Sequence, residues 1–451
     1  MSRMRARRGA ACLQIAILSM FLIGGLFAGA PETAGAQKKP DKKMPSSVYE
    51  ELRTFTEVLS YLKKNYVENV EDHKLVYGAV RGMLRTLDPH TTFLPPEVFR
   101  ESQVETRGKF GGLGIEITIR QGVLTVISPI DGTPAQRAGL KSGDRILKVD
   151  GEATKDMTLF DAVKKLRGKP NSKVTLSIIR AGWATPRDFT LTREVIRIKT
   201  VSHRKLGEGL GYLQVRQFTQ ETGQDVKKGL DSLGGASLKG LVLDLRNNPG
   251  GLLSAAVAVT DHFVSEGALL VYTKGRDPSQ NMRFHSRGEN APLKFPMVIL
   301  VNGGSASASE IVAGALQDMG RAVIAGTSTF GKGSVQTIIP LSDGSGLRMT
   351  TGRYYTPNGR QIQGRGIMPD IVVEVSRAPT TKKRRRLKES DLKGTLKGED
   401  DPESTPGIAS PRNGPRNPLK KTGDSQLDRA VELLRSWDIF RRALNKGAET
   451  G

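Results

Sequence analysis

Between residues 196 and 375 short apolar runs alternate with stretches of helical spacing. That alternation restricts this part of the chain to an α/β unit, with helices packed on a sheet. Leu210–Val215, Gly240–Leu245, Leu269–Tyr272, Met297–Val301 and Ala322–Gly326 predict strands, and Gln220–Leu233, Leu253–Phe263 and Ser307–Met319 predict helices. The whole chain has 451 residues, too many for one ordinary core, so two or three folded units are expected.

Upstream, residues 104–195 predict a β-rich module. Gly111-Gly112-Leu113-Gly114-Ile115 leads into the alternating Glu116-Ile117-Thr118-Ile119, and Val123–Ile127 is a second strand. Pro134–Leu140 predicts a short helix, Gly143–Gly151 a turn, strand and turn, Thr158–Leu166 a helix and Val174–Arg180 a final strand. This order, with its Ala-Gly-Leu-x-x-Gly-Asp-x-Ile run from Ala138, resembles a PDZ domain. Successive N–H groups at Gly112, Leu113, Gly114 and Ile115 can converge on a terminal carboxylate while a peptide adds as a strand beside Ile115–Ile119. A plain tight turn would also use these glycines.

The ends of the chain differ in character. Residues 1–36 have the order of a secretory leader: four arginines by Arg8, an apolar run over residues 10–28, then small residues around Ala30 and Ala36. The run of roughly 19 residues is also near a bilayer-spanning length, so an uncleaved anchor is the rival reading. Either one predicts export to the periplasm or cell envelope. Residues 45–100 predict a helical unit, through Leu52, Phe55, Val58, Leu59, Leu62 and Tyr66 and again through Val76, Val80, Met83 and Leu84. Asp88-Pro89-His90 breaks that pattern; a capped turn explains these residues, with His90 as a base the alternative. Residues 376–423 are basic and of low complexity, predicting a disordered linker, and residues 424–446 predict a final helix.

The formal charge of +23 invites a nucleic-acid or anionic-membrane reading. Much of the excess sits in the leader and in the tract from Lys382 to Lys388, outside any module with nucleic-acid signatures, and aromatic residues are only 5%. A solvated linker, or attraction to anionic lipid, accounts for the tract; nucleic acid is not an expected partner. The single cysteine, Cys12, lies in the leader, so the mature chain forms no internal disulfide.

Two segments carry chemistry. Val301-Asn302-Gly303-Gly304-Ser305-Ala306-Ser307-Ala308-Ser309-Glu310-Ile311 follows an apolar strand, and a strand that turns into a helix can present one serine at the helix N-terminus. Any of the three serines could instead be a simple cap. The second segment, Gly326 to Lys332, nearly matches a phosphate-binding loop, but Gly333 stands where the Mg²⁺-binding hydroxyl belongs and a strand follows, so nucleotide binding is rejected. None of the five histidines has a triad context. A lysine whose charged form is disfavoured by burial can serve as the general base for a serine.

Ser-Ala-Ser-Ala-Ser-Glu-Ile, followed 25 positions beyond Ser307 by the lysine of Phe-Gly-Lys-Gly-Ser-Val-Gln, resembles the carboxyl-terminal processing protease family. The resemblance runs from Asp88-Pro89-His90 to Pro369-Asp370. It implies that Ser307 is the nucleophile, Lys332 the general base and Gln336 the residue orienting the lysine. It also implies that the backbone N–H groups of Ala308 and of Gly251 form the oxyanion hole. The implied fold is a crotonase-related α/β core with the PDZ-like module inserted. The implied activity is cofactor-free and metal-free cleavage of exported proteins near their free C-termini, with peptide binding to the PDZ module aligning the dyad in several members. Homo-oligomers through the terminal helices fit the same picture. A non-catalytic PDZ scaffold is the competing reading; such a chain would have no need of Ser307, Lys332 and Gln336 together.

Overall fold

The computed structural model describes residues 46–288, 292–374, 387–398 and 423–449. The leader expected over residues 1–36 and the basic cluster 382–386 lie outside the described residues. The chain divides into two compact units at Val70–Glu71. The helix Ser46–Asn65 belongs to the first. The segment 45–100 is therefore divided between two bodies: the helix Asp72–Leu84, the strand Thr92–Leu94 and the helix Pro96–Arg107 belong to the second.

The core of the larger unit is a six-stranded sheet ordered Val201–Gly207, Leu210–Val215, Gly240–Asp244, Met297–Val301, Val323–Gly326, Ile371–Val372. Only the first pair is antiparallel. Every residue of Gly240–Asp244 and Met297–Val301 is buried, as expected of parallel strands covered on both faces. The two-residue period sorts their side chains. Leu241, Leu243, Met297, Ile299 and Val301 join the cluster that includes Val226, Val259, Ile311 and Val312 of the helices Thr222–Leu233, Leu253–Asp261 and Ala308–Asp318. Val242, Val298 and Leu300 meet Leu427, Ala430 and Leu434 of the C-terminal helix Ser425–Glu449 on the other face. Truncating a fully buried residue such as Ile299 to alanine costs about 2–5 kcal/mol.

The strand predicted over Leu269–Tyr272 runs over Leu269–Gly275 and joins a different sheet. It pairs antiparallel with Gly346–Tyr355, which also takes Ser334–Pro340 and Thr92–Leu94. The N-terminal part of the large unit thus contributes an edge strand beside Gly346–Tyr355, the strand that also pairs with the one carrying Gln336.

The PDZ-like module is built largely as its sequence predicts, from strands ordered Ile115–Arg120, Val123–Pro129, Arg145–Val149, Lys173–Ile179, Arg187–Thr192 around Leu124, Ile146, Leu176 and Ile178. Arg187–Thr192 extends the sheet beyond the strand expected to end it. Lys109–Gly112 and Glu194–Arg197 pair where the chain enters and leaves the module. The helix Pro96–Arg107 links module and core. Its Glu97 and Glu101 form ion pairs with Lys164 and Arg167, while Phe99 lies against Gly346 of the long strand.

One stretch departs from expectation. Residues 387–398, read as part of a disordered linker, form an ordered segment with a short 3-10 turn, Glu389–Asp391, and Glu389 is fully buried. Composition predicts a solvated chain there; hydrogen bonds of the Glu389 side chain with His90, Gln363 and Thr395, and of its backbone N–H with the Phe330 carbonyl, override it.

Candidate active site

The buried strand Met297–Val301 ends in small residues, and the chain then turns into the helix Ala308–Asp318. The neighbouring loop 245–251 decides among the three serines. Ser305 Oγ donates to the Leu245 carbonyl (2.8 Å) and Ser309 Oγ to the Asn248 carbonyl (3.0 Å), and both residues are fully buried. Ser307 is half-buried, and among the described residues its hydroxyl donates to no acceptor. Its backbone lies at φ 54°, ψ −113°, a region that L-residues rarely adopt and that stores strain.

Glu310, three residues on, fixes the turn. The Ser307 N–H donates to Glu310 Oε2 at 2.7 Å, and the Lys332 N–H donates to that same oxygen at 2.9 Å. Glu310 Oε1 accepts from Gly331 N–H (2.7 Å) and Thr329 Oγ1 (2.5 Å). The Phe330 N–H donates to the Ser305 carbonyl (3.0 Å). One buried carboxylate thus joins the turn of Ser307 to the loop of Lys332. Burial pushes the Glu310 carboxyl up to about 7, while its hydrogen bonds favour the ionised form.

Lys332 is half-buried, and burial holds its ammonium below the usual lysine range. The Arg348 charge works in the same direction, while Glu389, Asp88 and Glu310 oppose it. Among the described residues no hydrogen bond joins Lys332 Nζ to Ser307 Oγ or to Gln336. The Gln336 side chain donates instead to Thr350 Oγ1 (2.9 Å) and Ser334 Oγ (3.4 Å), and its Oε1 is buried without a partner. Thr350 Oγ1 in turn donates to Asp88 Oδ1 (3.2 Å). Asp88 also accepts from the backbone N–H groups of His90 and Thr91 at 2.8 Å, so Asp88-Pro89-His90 is a side-chain-capped turn beside the site.

The two expected oxyanion donors are in different environments. Ala308 is the first residue of its helix, and the Gly251 peptide runs beside Phe218 in an isolated parallel bridge. Among the described residues neither N–H donates to a protein acceptor. By contrast the Gly250 N–H is used by Asn248 Oδ1 at 2.9 Å. A Cβ at Gly250 would sit 2.8 Å from Ser307 Cβ and 3.0 Å from Ala308 N, which places this loop directly against the serine.

In the PDZ-like module the Leu113 and Gly114 carbonyls accept from Ala135 and Ile130, while among the described residues the N–H groups of Leu113 and Gly114 donate to no protein acceptor. Gly114 is at φ 73°, and a Cβ there would lie 2.3 Å from Thr133, so only glycine fits. Ile115 opens an edge strand whose second side is unpaired in the sheet, and Gly112 is taken up in the ribbon with Glu194. Among the described residues no cluster of three His, Cys, Asp or Glu side chains is placed to hold a metal ion.

Residues 209–373 match the model for Peptidase family S41, residues 101–179 that for the PDZ domain, and residues 18–97 that for the Activating protease CtpB N-terminal domain. A carboxy-terminal-processing protease of Bartonella bacilliformis is 43% identical over 424 residues, covering 92% of this chain and 95% of that protein. The chain belongs to the carboxy-terminal processing protease family. A carboxyl-terminal-processing protease of Synechocystis is 41% identical over 69% of this chain and 74% of its own. Among solved structures, the photosystem II D1 C-terminal processing protease aligns at 35% identity and a TM-score of 0.42, covering 71% of this chain and 86% of that one.

This processing protease is a serine-type peptidase with a PDZ domain. Sequence reasoning left several residues of its site without a role: Glu310, Asn248, Gly250, Gln363 and Glu389. For Glu310 a signal was present, since Ser307-x-x-Glu310 has capping-box spacing. Glu389 and Gln363 have no local signal, because their partners lie 299 and 30 positions away.

Proposed function

We propose that this peptidase cleaves exported proteins near their C-termini with a Ser307–Lys332 dyad. The observation that carries the reading is the shared Glu310 oxygen, which puts the serine turn and the lysine loop in one buried network. Ser307 Oγ attacks the scissile carbonyl carbon as its proton passes to neutral Lys332 Nζ. The tetrahedral intermediate collapses, the C–N bond breaks, and the lysine returns the proton to the leaving amine. Water then releases the acyl group by the same two proton transfers. The N–H groups of Ala308 and Gly251 take the negative oxygen, each contributing about 2.7–4 kcal/mol to the barrier reduction. Gln336 Oε1, buried and without a partner, is the acceptor that orients Lys332 Nζ when the amine closes on the hydroxyl. Catalytic hydrogen bonds that are long in a free enzyme tighten in the substrate complex.

The substrate's terminal carboxylate binds the free N–H groups of Leu113 and Gly114, and its last residues add as a strand beside Ile115–Arg120. Amidating the C-terminus should therefore slow cleavage. The basic n-region and apolar run of residues 1–36 direct the chain out of the cytoplasm.

The test is proteolysis of an unfolded protein with an apolar C-terminus by purified wild-type, Ser307→Ala and Lys332→Ala protein. Both variants should lose at least about 10³-fold in kcat. Undiminished cleavage by either would remove the dyad, and equal rates on free-acid and amidated substrates would remove carboxylate capture.

A further inference from the structure

Residues 387–398 come from the stretch for which the sequence offered no role, yet they pack on the loop that carries Lys332. Glu389 Oε1 accepts from His90 Nε2 (2.7 Å), Gln363 Nε2 (3.0 Å) and Thr395 Oγ1 (2.9 Å), and its Oε2 lies 2.9 Å from the same His90 nitrogen. Gln363 faces two ways: its Nε2 donates to Glu389 while its Oε1 accepts from the Gly333 N–H at 2.9 Å. The Glu389 N–H donates to the Phe330 carbonyl at 3.1 Å. Phe330 and Gly333 bracket Lys332, so both sides of the lysine are tied to one residue. Farther along, the Lys397 carbonyl accepts from Arg353 Nη2 at 3.1 Å, which holds the segment down on the strand Gly346–Tyr355.

A buried carboxylate persists only where donors compensate its charge. Here the compensating groups come from three separate places: the Asp88–His90 turn, the loop around Gln363 and the segment itself. We infer that Glu389 is a positioning residue for Lys332, a second carboxylate anchor that fixes the Phe330–Gly333 loop through Gln363 and the Phe330 carbonyl. This rests on the reading of Lys332 as the general base.

The anchor also has an electrostatic consequence. Burial would raise the Glu389 carboxyl, but hydrogen bonds from His90 and Gln363 and the His90 charge hold it below the usual range, so it is ionised at neutral pH. Burial is the main influence lowering Lys332; Glu389 is the strongest opposing one, with Asp88 and Glu310 on its side and Arg348 against it. Removing the Glu389 charge therefore makes the lysine easier to deprotonate.

The experiment uses full-length protein, with thermal unfolding measured in parallel and kcat followed over pH on a protein substrate. Glu389→Ala should lower kcat about 10- to 100-fold through misplacement of the base. KM should change by less than about threefold. Glu389→Gln keeps an acceptor for Gln363 and should recover most of that loss, while moving the acid limb of the kcat profile to lower pH. Should the alanine variant not fold, the limb of the glutamine variant decides. A glutamine variant with the wild-type limb, or a folded alanine variant with wild-type kcat, overturns the assignment. Lys332→Ala is run beside them: if it still cleaves, the dyad and this inference fall together, whereas an inactive Lys332→Ala beside indifferent Glu389 variants removes this inference alone.

Discussion

The backbone nitrogens of Ser307 and Lys332 share a single acceptor, Glu310 Oε2, at 2.7 and 2.9 Å. The two residues are carried by separate loops that leave the adjacent parallel strands Met297–Val301 and Val323–Gly326, and both lie beyond the end of that ladder, which stops at Val301 and Gly326. Their relative placement depends on a fully buried carboxylate with four donors around it. The strained backbone at Ser307 is held by the same group, through the N–H it anchors.

Glu310→Ala should therefore damage both stability and chemistry. It strands three backbone N–H groups and one hydroxyl in the interior, each costing about 1–3 kcal/mol where no water replaces the carboxylate. A net loss of about 3–5 kcal/mol is expected in denaturant unfolding, with kcat reduced about 100-fold or more in whatever remains folded. Wild-type unfolding and wild-type kcat would show that the shared acceptor is incidental. Because burial pushes the Glu310 carboxyl up to about 7, the folded chain holds this proton more tightly than the unfolded chain. This group's contribution is thus fully present below the ordinary carboxyl range and declines as pH rises through about 7, a slope that Glu310→Ala should abolish.

Lys332 sets the opposite dependence. Its folded pKa is lowered, mainly by burial, so between that value and 10.5 the folded chain binds fewer protons than the unfolded one. Its stability contribution is present above 10.5 and is lost as pH falls through the folded value. Activity follows the same direction, since only the neutral amine accepts the serine proton. The acid limb of kcat/KM should lie below the ordinary lysine range. A limb at or above that range would contradict a buried lysine base.

Gly250 should tolerate no side chain. Its φ is 100°, and the added methyl would stand 2.8 Å from the Ser307 Cβ and from the Ala306 carbonyl oxygen. Gly250→Ala is expected to lower kcat about 100-fold or more by displacing the serine and the adjacent oxyanion donors. Binding of a C-terminal peptide to the PDZ domain, measured by fluorescence anisotropy, should be unchanged. An alanine variant with wild-type turnover would mean that the loop 245–251 does not border the reacting serine.

The sequence alone determined the four parallel strands Leu210–Val215, Gly240–Asp244, Met297–Val301 and Val323–Gly326, the helices beside them and most of the PDZ module, because hydrophobic period and turn residues are local; the two-residue strand Ile371–Val372 carries too short a run to be read. It also singled out the segments containing Ser307 and Lys332, since a strand that ends in small residues and a glycine-flanked lysine are visible in a dozen letters. Tertiary structure alone showed why Ser305 and Ser309 are not available, because the loop 245–251 whose carbonyls take up their hydroxyls lies about sixty positions upstream. It decided as well that Leu269–Gly275 belongs to a second sheet, and that Glu389 leaves a basic, polar stretch to become buried beside His90. Composition describes what a segment would do in water. It cannot anticipate hydrogen-bond partners brought together from 299 positions away, and those partners are what make burial of that carboxylate favourable.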